Sequence, residues 1–249
     1  MDREEEIRLK EFKEFFSDKL KSIEDISCEN KSDSFLFKKI IYFSFLESLA
    51  KAAYPNDSVK RRFIKFLDKF TNWNKNNDYC VIHMATEKKF TQETLNFCEQ
   101  EVDKVFHDYE GIGSFNIVKL NSLPEKYIQK EKSKEDGDLL NSFTYATILY
   151  KSRNRLVHQF QSSVESGMKF ETMYHDESPF FQLYTELGYD EEKDIIKGKS
   201  KSIEIIFPNS FLKKLATEGL EKFIVHCEEN NFNPFTKYYA KRKIHEKIL

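Results

Sequence analysis

Arg153-Asn154-Arg155-Leu156-Val157-His158 places an arginine, an amide and a histidine within one short segment, and those side chains together can hold an anion and move a proton. An imidazole gives or takes a proton near neutral pH. A guanidinium grips a phosphate or carboxylate through two parallel hydrogen bonds, and an amide can orient either partner. On a helix the spacing has consequences, because at about 100° per residue Asn154 and His158 share a face while Arg153 lies roughly 140° from His158. One helix alone therefore does not bring all three together. With seven Arg, fifteen Asn and six His in the chain, Arg-Asn-x-x-x-His is expected about 0.01 times by chance, against roughly 0.5 for a looser Arg-to-His spacing. The Asn supplies most of the specificity.

The helix that must carry these residues reads from Asp138 through Leu140, Phe143, Thr147, Tyr150, Val157 and Phe160, ending before Gly167. On its wheel Arg153 falls between Leu149, Leu156 and Phe160 on one side and Tyr150 and Val157 on the other. A guanidinium on this apolar arc is costly unless it is paired or faces a wet groove. Two explanations stay open and are compatible. One is an ion pair with Glu47, the lone carboxylate in the apolar run Phe35 to Tyr54. The other is a groove at a dimer seam, where two copies of the helix pack about a two-fold axis and bring two Arg-Asn-His sets around one phosphate.

Stepping outward, residues 2–26 have helical spacing, with Ile7, Leu9, Phe12, Phe15, Phe16, Leu20 and Ile23 among charges. The helix Phe35 to Tyr54, with Asp33 or Ser34 as cap and Pro55 as stop, is apolar nearly all round and belongs in the middle of a bundle. A third helix begins at Asp57 or Ser58 and ends near Asn72. Its basic residues Lys60 to Lys69, like the tail Lys241-Arg242-Lys243, read as solvated faces. Helical spacing is weaker over Thr91 to Tyr109, and Glu125 to Asp138 reads as a surface connection with a short helix. Alternation over Met168 to Tyr174, Phe180 to Tyr184 and Ser202 to Phe207 predicts a small antiparallel β element in the C-terminal third, before a final helix from Phe211 to about Glu229. The expected fold class is mainly α: a helical bundle over 1–165, with a C-terminal extension over 166–249 packed on the same domain.

Composition supports that class and excludes others. The 24 Phe and 12 Tyr make an aromatic core, and only seven Gly and five Pro leave few devices for the tight turns of an all-β fold. A net charge of −2 removes any global field that would draw the molecule to nucleic acid, so such contact must be local. Cys28, Cys80, Cys98 and Cys227 lack paired spacing, and no His-x-x-x-His occurs. No disulfide, metal or other cofactor is therefore expected. The acidic start Met1-Asp2-Arg3-Glu4-Glu5-Glu6 and the lack of a long apolar run predict a soluble, cytoplasmic chain without a membrane segment.

The segment Arg153 to His158, near the end of a helix in a helical chain, resembles the HEPN superfamily. The signature there is Arg, four to six residues, then His, with Asn, Asp or His often following the Arg. Phe45 to Pro55 and Arg62 to Leu67 also resemble early helices of larger HEPN proteins of mobile elements and defence loci, so the likeness covers about residues 35–165. The resemblance implies a metal-independent endoribonuclease acting as a homodimer, with RNA as substrate, of the kind found among toxin-antitoxin and phage-defence effectors. Arg153, Asn154 and His158 would then be catalytic, with Glu47 and Arg155 supporting. An antitoxin or another protein would be a natural partner. Two other classes stay open: an HEPN-like module that holds RNA or a nucleotide without cutting it, and a helical protein that docks a partner while Arg153 and His158 make structural bonds.

Overall fold

Asn30 starts the helix Lys31–Ala53: its side chain accepts a hydrogen bond from the Ser32 amide at 2.9 Å, satisfying a donor that a helix start leaves open. The expected caps lie inside the helix, and the Ser34 hydroxyl instead accepts from the Cys28 amide at 2.7 Å. This computed structural model describes residues 3–108, 113–117, 120–134, 137–159, 177–190 and 195–235. Within them run α1 (Arg3–Glu24), α2 (Lys31–Ala53), α3 (Val59–Phe70), the short α4 (Val81–Met84), α5 (Gln92–Asp108) and β1 (Gly113–Asn116). Then come α6 (Glu125–Lys132), a 3-10 helix (Gly137–Phe143), α7 (Tyr145–Gln159), β2 (Phe180–Asp190), β3 (Ile195–Ile206) and α8 (Asn209–Glu229). The protein is mainly helical with a small antiparallel sheet, as its periodicity and composition predict.

The chain forms two compact units, Met1–Asn76 with Leu149–Ser162 and Asn209–Leu249, and Asn77–Ile148 with Ser163–Pro208. The expected boundary near residue 165 and the expected strand Met168 to Tyr174 lie outside the described residues.

In the first unit α1, α2, α3 and α8 enclose an aromatic core. Phe223 of α8 meets Phe12 of α1 at 5.9 Å and Phe66 and Phe70 of α3 at 6.2 and 5.3 Å between ring centroids, edge-on each time, the arrangement that ring quadrupoles favour. Tyr42, Phe43, Leu46 and Leu49 of α2 are sealed from solvent, whereas Phe37 and Ile41 of the same helix are 43% and 38% exposed, so the expectation of a helix buried on every side holds only for its inner face. Close approach of α3 and α8 depends on Gly219, where a Cβ would stand 2.8 Å from Phe66 Cε1 and 3.1 Å from its Cζ. Phe66 is fully buried and cannot swing away without displacing its neighbours. Gly219→Ala gains about 1 kcal/mol in helix propensity and loses more to overpacking, for a net loss of about 1–2 kcal/mol. Urea titration measures it, and equal or higher stability would mean that the ring yields.

In the second unit the sheet order is β1-β2-β3, antiparallel throughout, with Asn116 opposite Phe180 and Phe180 opposite Ile206. The strands extend past the predicted segments Phe180 to Tyr184 and Ser202 to Phe207, and β1 comes from the middle of the chain. Glu131 of α6 is 3% exposed, yet its Oε1 accepts from the Thr91 amide at 3.0 Å and from the Thr91 and Thr94 hydroxyls at 2.7 Å each. Lys134 Nζ lies 2.8 Å from Oε2. This carboxylate thus closes the start of α5, where helix amides favour negative charge. Burial pushes its pKa up, and the bonds from Lys134, Thr91 and Thr94 more than reverse this, holding it at about 2 against an ordinary 4.5. A folded pKa below the unfolded one stabilises the protein fully above pH 4.5, and the contribution disappears as pH falls towards 2. Melts from pH 6 to pH 3 should therefore show a steeper acid loss for the wild type than for Glu131→Gln, and parallel curves would refute the assignment.

Candidate functional site

The helix carrying Arg153 begins later than its apolar spacing suggests. Residues 137–143 form a 3-10 turn, and α7 proper starts only after Thr144, whose backbone bridges to Tyr79. The Thr144 hydroxyl accepts from the Thr147 amide at 3.3 Å, the bond an N-cap makes.

Leu149 and Leu156, at 0% and 2% exposure, bracket Arg153 one turn to either side and turn its stem inward. Its side chain is 14% exposed. Arg153 Nη2 donates to Glu47 Oε2, and Nη1 donates to the Asn154 side-chain oxygen at 2.9 Å. Glu47 reaches it from α2, where buried Leu46, Leu49 and Ala50 surround the carboxylate's own turn. The ion pair drawn from the sequence is thus present in the folded chain.

A third residue joins this pair. Arg62 of α3 donates from Nη2 to Glu47 Oε1 at 3.4 Å, and its side chain is 13% exposed. Its Nε is buried with no hydrogen-bond partner. One carboxylate therefore serves two guanidiniums, and a positive charge is left over. The basic run of α3 is a solvated face at Arg61, with 68% of its side chain exposed beside Asp57, but not at Arg62, contrary to the expectation from its charge pattern. A signal was present: Arg62 precedes Phe63 by one position and Phe66 by four, which puts it at the edge of the buried arc.

Asn154 is partly exposed and Arg155 exposed, one turn beyond Lys151 on α7. Burial, then the nearby charges of Lys60 and Arg155, lower the pKa of Lys151. Lys60 of α3 and Lys151 and Arg155 of α7 thus form a cationic neighbourhood on the unit that holds the Arg62–Glu47–Arg153 cluster. His158 belongs to α7, one helical turn beyond Asn154, and its side chain lies outside the described residues.

A second constellation, Cys80 and His83, has Sγ and Nδ1 3.0 Å apart. It is not a nucleophilic pair. Cys80 is fully buried, and burial pushes its thiol up to about 12, so the sulfur keeps its proton at neutral pH. Among the described residues no group of three His, Cys, Asp or Glu is placed to hold a metal ion, and no helix is long and apolar enough to cross a membrane.

The chain matches no protein-family model, no curated protein and no solved structure.

Proposed function

We propose that this protein is a metal-independent endoribonuclease, a toxin or phage-defence effector, in which the Arg153, Asn154 and His158 sets of two copies form one site. The observation that carries the reading is a guanidinium oriented on two sides, by Glu47 and Asn154, within a cationic neighbourhood of a chain whose net charge is −2. Cutting RNA without metal needs a base for the ribose 2′-hydroxyl proton, an acid for the leaving 5′-oxygen and a cation for the charge developing on phosphorus. One His158 takes the 2′-hydroxyl proton while the 2′-oxygen bonds to phosphorus. The phosphorus–5′-oxygen bond breaks, and the partner copy's imidazolium supplies the proton to that oxygen. Arg153 holds the non-bridging oxygens, and Asn154 keeps the guanidinium in plane. The products are a 2′,3′-cyclic phosphate and a 5′-hydroxyl, so the substrate is RNA and not DNA.

The Arg153–Glu47 pair also suits a second reading, a non-catalytic module that binds RNA or a nucleotide, or that docks a protein such as an antitoxin, because a salt bridge needs no turnover to be useful. End-labelled RNA incubated with the protein in EDTA separates the two. New fragments ending in a cyclic phosphate, from a protein that sediments as a dimer, support the ribonuclease. Binding without fragments leaves the module, and neither leaves partner docking.

A further inference from the structure

Two guanidiniums on one carboxylate make a cluster that is one anion short. Arg62 and Arg153 approach Glu47 from different helices, α3 and α7, and each takes a different carboxylate oxygen. Arg62 makes the weaker contact, 3.4 Å, and its Nε has no acceptor although buried. A buried donor without a partner is destabilising, and the excess charge adds to that cost. An anion with several acceptor oxygens would relieve both. The side chains are 13%, 14% and 19% exposed for Arg62, Arg153 and Glu47, so the cluster is not sealed from solvent. Lys60, Lys151 and Arg155 supply positive potential on the same unit and draw polyanions towards it.

We propose that Arg62 is a second phosphate-binding residue of this site, holding a single-stranded RNA phosphodiester together with Arg153, while Glu47 is the shared counter-ion that positions both forks before the phosphate arrives. This rests on the reading of the protein as an RNA-binding enzyme. A fork serves where an ammonium would not, because two planar groups can share the two non-bridging oxygens of one phosphodiester.

The test uses fluorescein-labelled, fully 2′-O-methylated single-stranded RNA, which cannot be cut because its 2′-oxygens are blocked. Fluorescence anisotropy measures its affinity for wild type, Arg62→Gln, Arg62→Lys and Arg61→Gln between about 50 and 200 mM salt. Arg61→Gln removes the same charge from the next position of the same helix. Arg62→Gln should bind about tenfold more weakly, and its slope of log affinity against log salt should fall by about 0.7, the value of one single-strand phosphate contact. Arg62→Lys, which keeps the charge and guards against loss of folding, should keep the slope and lose about threefold in affinity. Arg61→Gln should change affinity by less than about twofold. Equal losses in Arg61→Gln and Arg62→Gln, wild-type affinity in Arg62→Gln, or no binding by wild type would each overturn the proposal. If wild type binds methylated RNA as described but leaves unmodified RNA intact, the phosphate clamp stands and the ribonuclease reading fails. If wild type cuts RNA and Arg62→Gln keeps its affinity and rate, only the clamp fails.

Discussion

Arg153→Ala and His158→Ala should each slow RNA cleavage by about a thousandfold, the range expected when a general acid–base group or a transition-state cation is removed. Both variants should keep the wild-type circular dichroism spectrum and sedimentation. For Arg153 this follows from the cluster: removing one of two guanidiniums leaves Glu47 and Arg62 as a one-to-one pair, so no unmatched charge is created. Arg153→Lys should recover little rate, because an ammonium cannot donate to Glu47 and hold two phosphate oxygens in one plane. Single-turnover rates in EDTA are the measurement. Loss of folding in Arg153→Ala would identify the residue as structural, and full activity in His158→Ala would end the two-imidazole mechanism.

Glu47→Ala should be the most destabilising single change at the site, by about 3 kcal/mol, since it leaves two poorly exposed guanidiniums without a carboxylate. At this chain length that lowers Tm by about 6–12 °C. Glu47→Gln should lose less, because an amide oxygen still accepts one bond. The informative comparison is a double-mutant cycle: Arg62→Met in the Glu47→Ala background removes a guanidinium that has no carboxylate at all and should gain more stability than the same change in wild type, where Glu47 still neutralises part of the charge. An unchanged Tm in Glu47→Ala, or strictly additive effects in the cycle, would show that the three charges are not coupled. The contrast between the two sets of variants follows from one geometry, in which Glu47 is the counter-ion of both guanidiniums and Arg153 is a member whose loss leaves a matched pair.

Much of this was legible in the residues. Leu149 and Leu156 determine on which side of its helix Arg153 lies, and Glu47 stands out as the lone carboxylate of an apolar helix, so their meeting was foreseeable from the cost of burying charge. The N-cap of α2 was not. Asn30, Asp33 and Ser34 are all competent caps, and the choice among them depends on where the preceding chain turns, which places Ser34 at the Cys28 amide instead. Nor does the spacing reveal the start of α7, since Gly137–Phe143 has helical spacing but forms a 3-10 turn, which 3.6-residue periodicity does not separate from an α-helix over so short a run.

By itself the sequence determined the helical character of the chain and the need of Arg153 for a counter-charge or a wet groove, while Ile7 and Phe15, apolar positions of α1, turn out 52% and 53% exposed. Those properties follow from local periodicity and from the solvation of charge, and both act within a few residues. Only the tertiary structure decided that Arg62 shares Glu47 with Arg153, and that Gly113–Asn116 pairs with Phe180–Leu183 as the third strand of the sheet. These pairings join residues far apart in the chain, and no periodicity records which helices lie side by side or at what height they cross. The height at which α3 meets α2 is set by how the aromatic side chains Phe63, Phe66 and Phe70 fill the core, and it brings one arginine, rather than its neighbour Arg61, to the carboxylate.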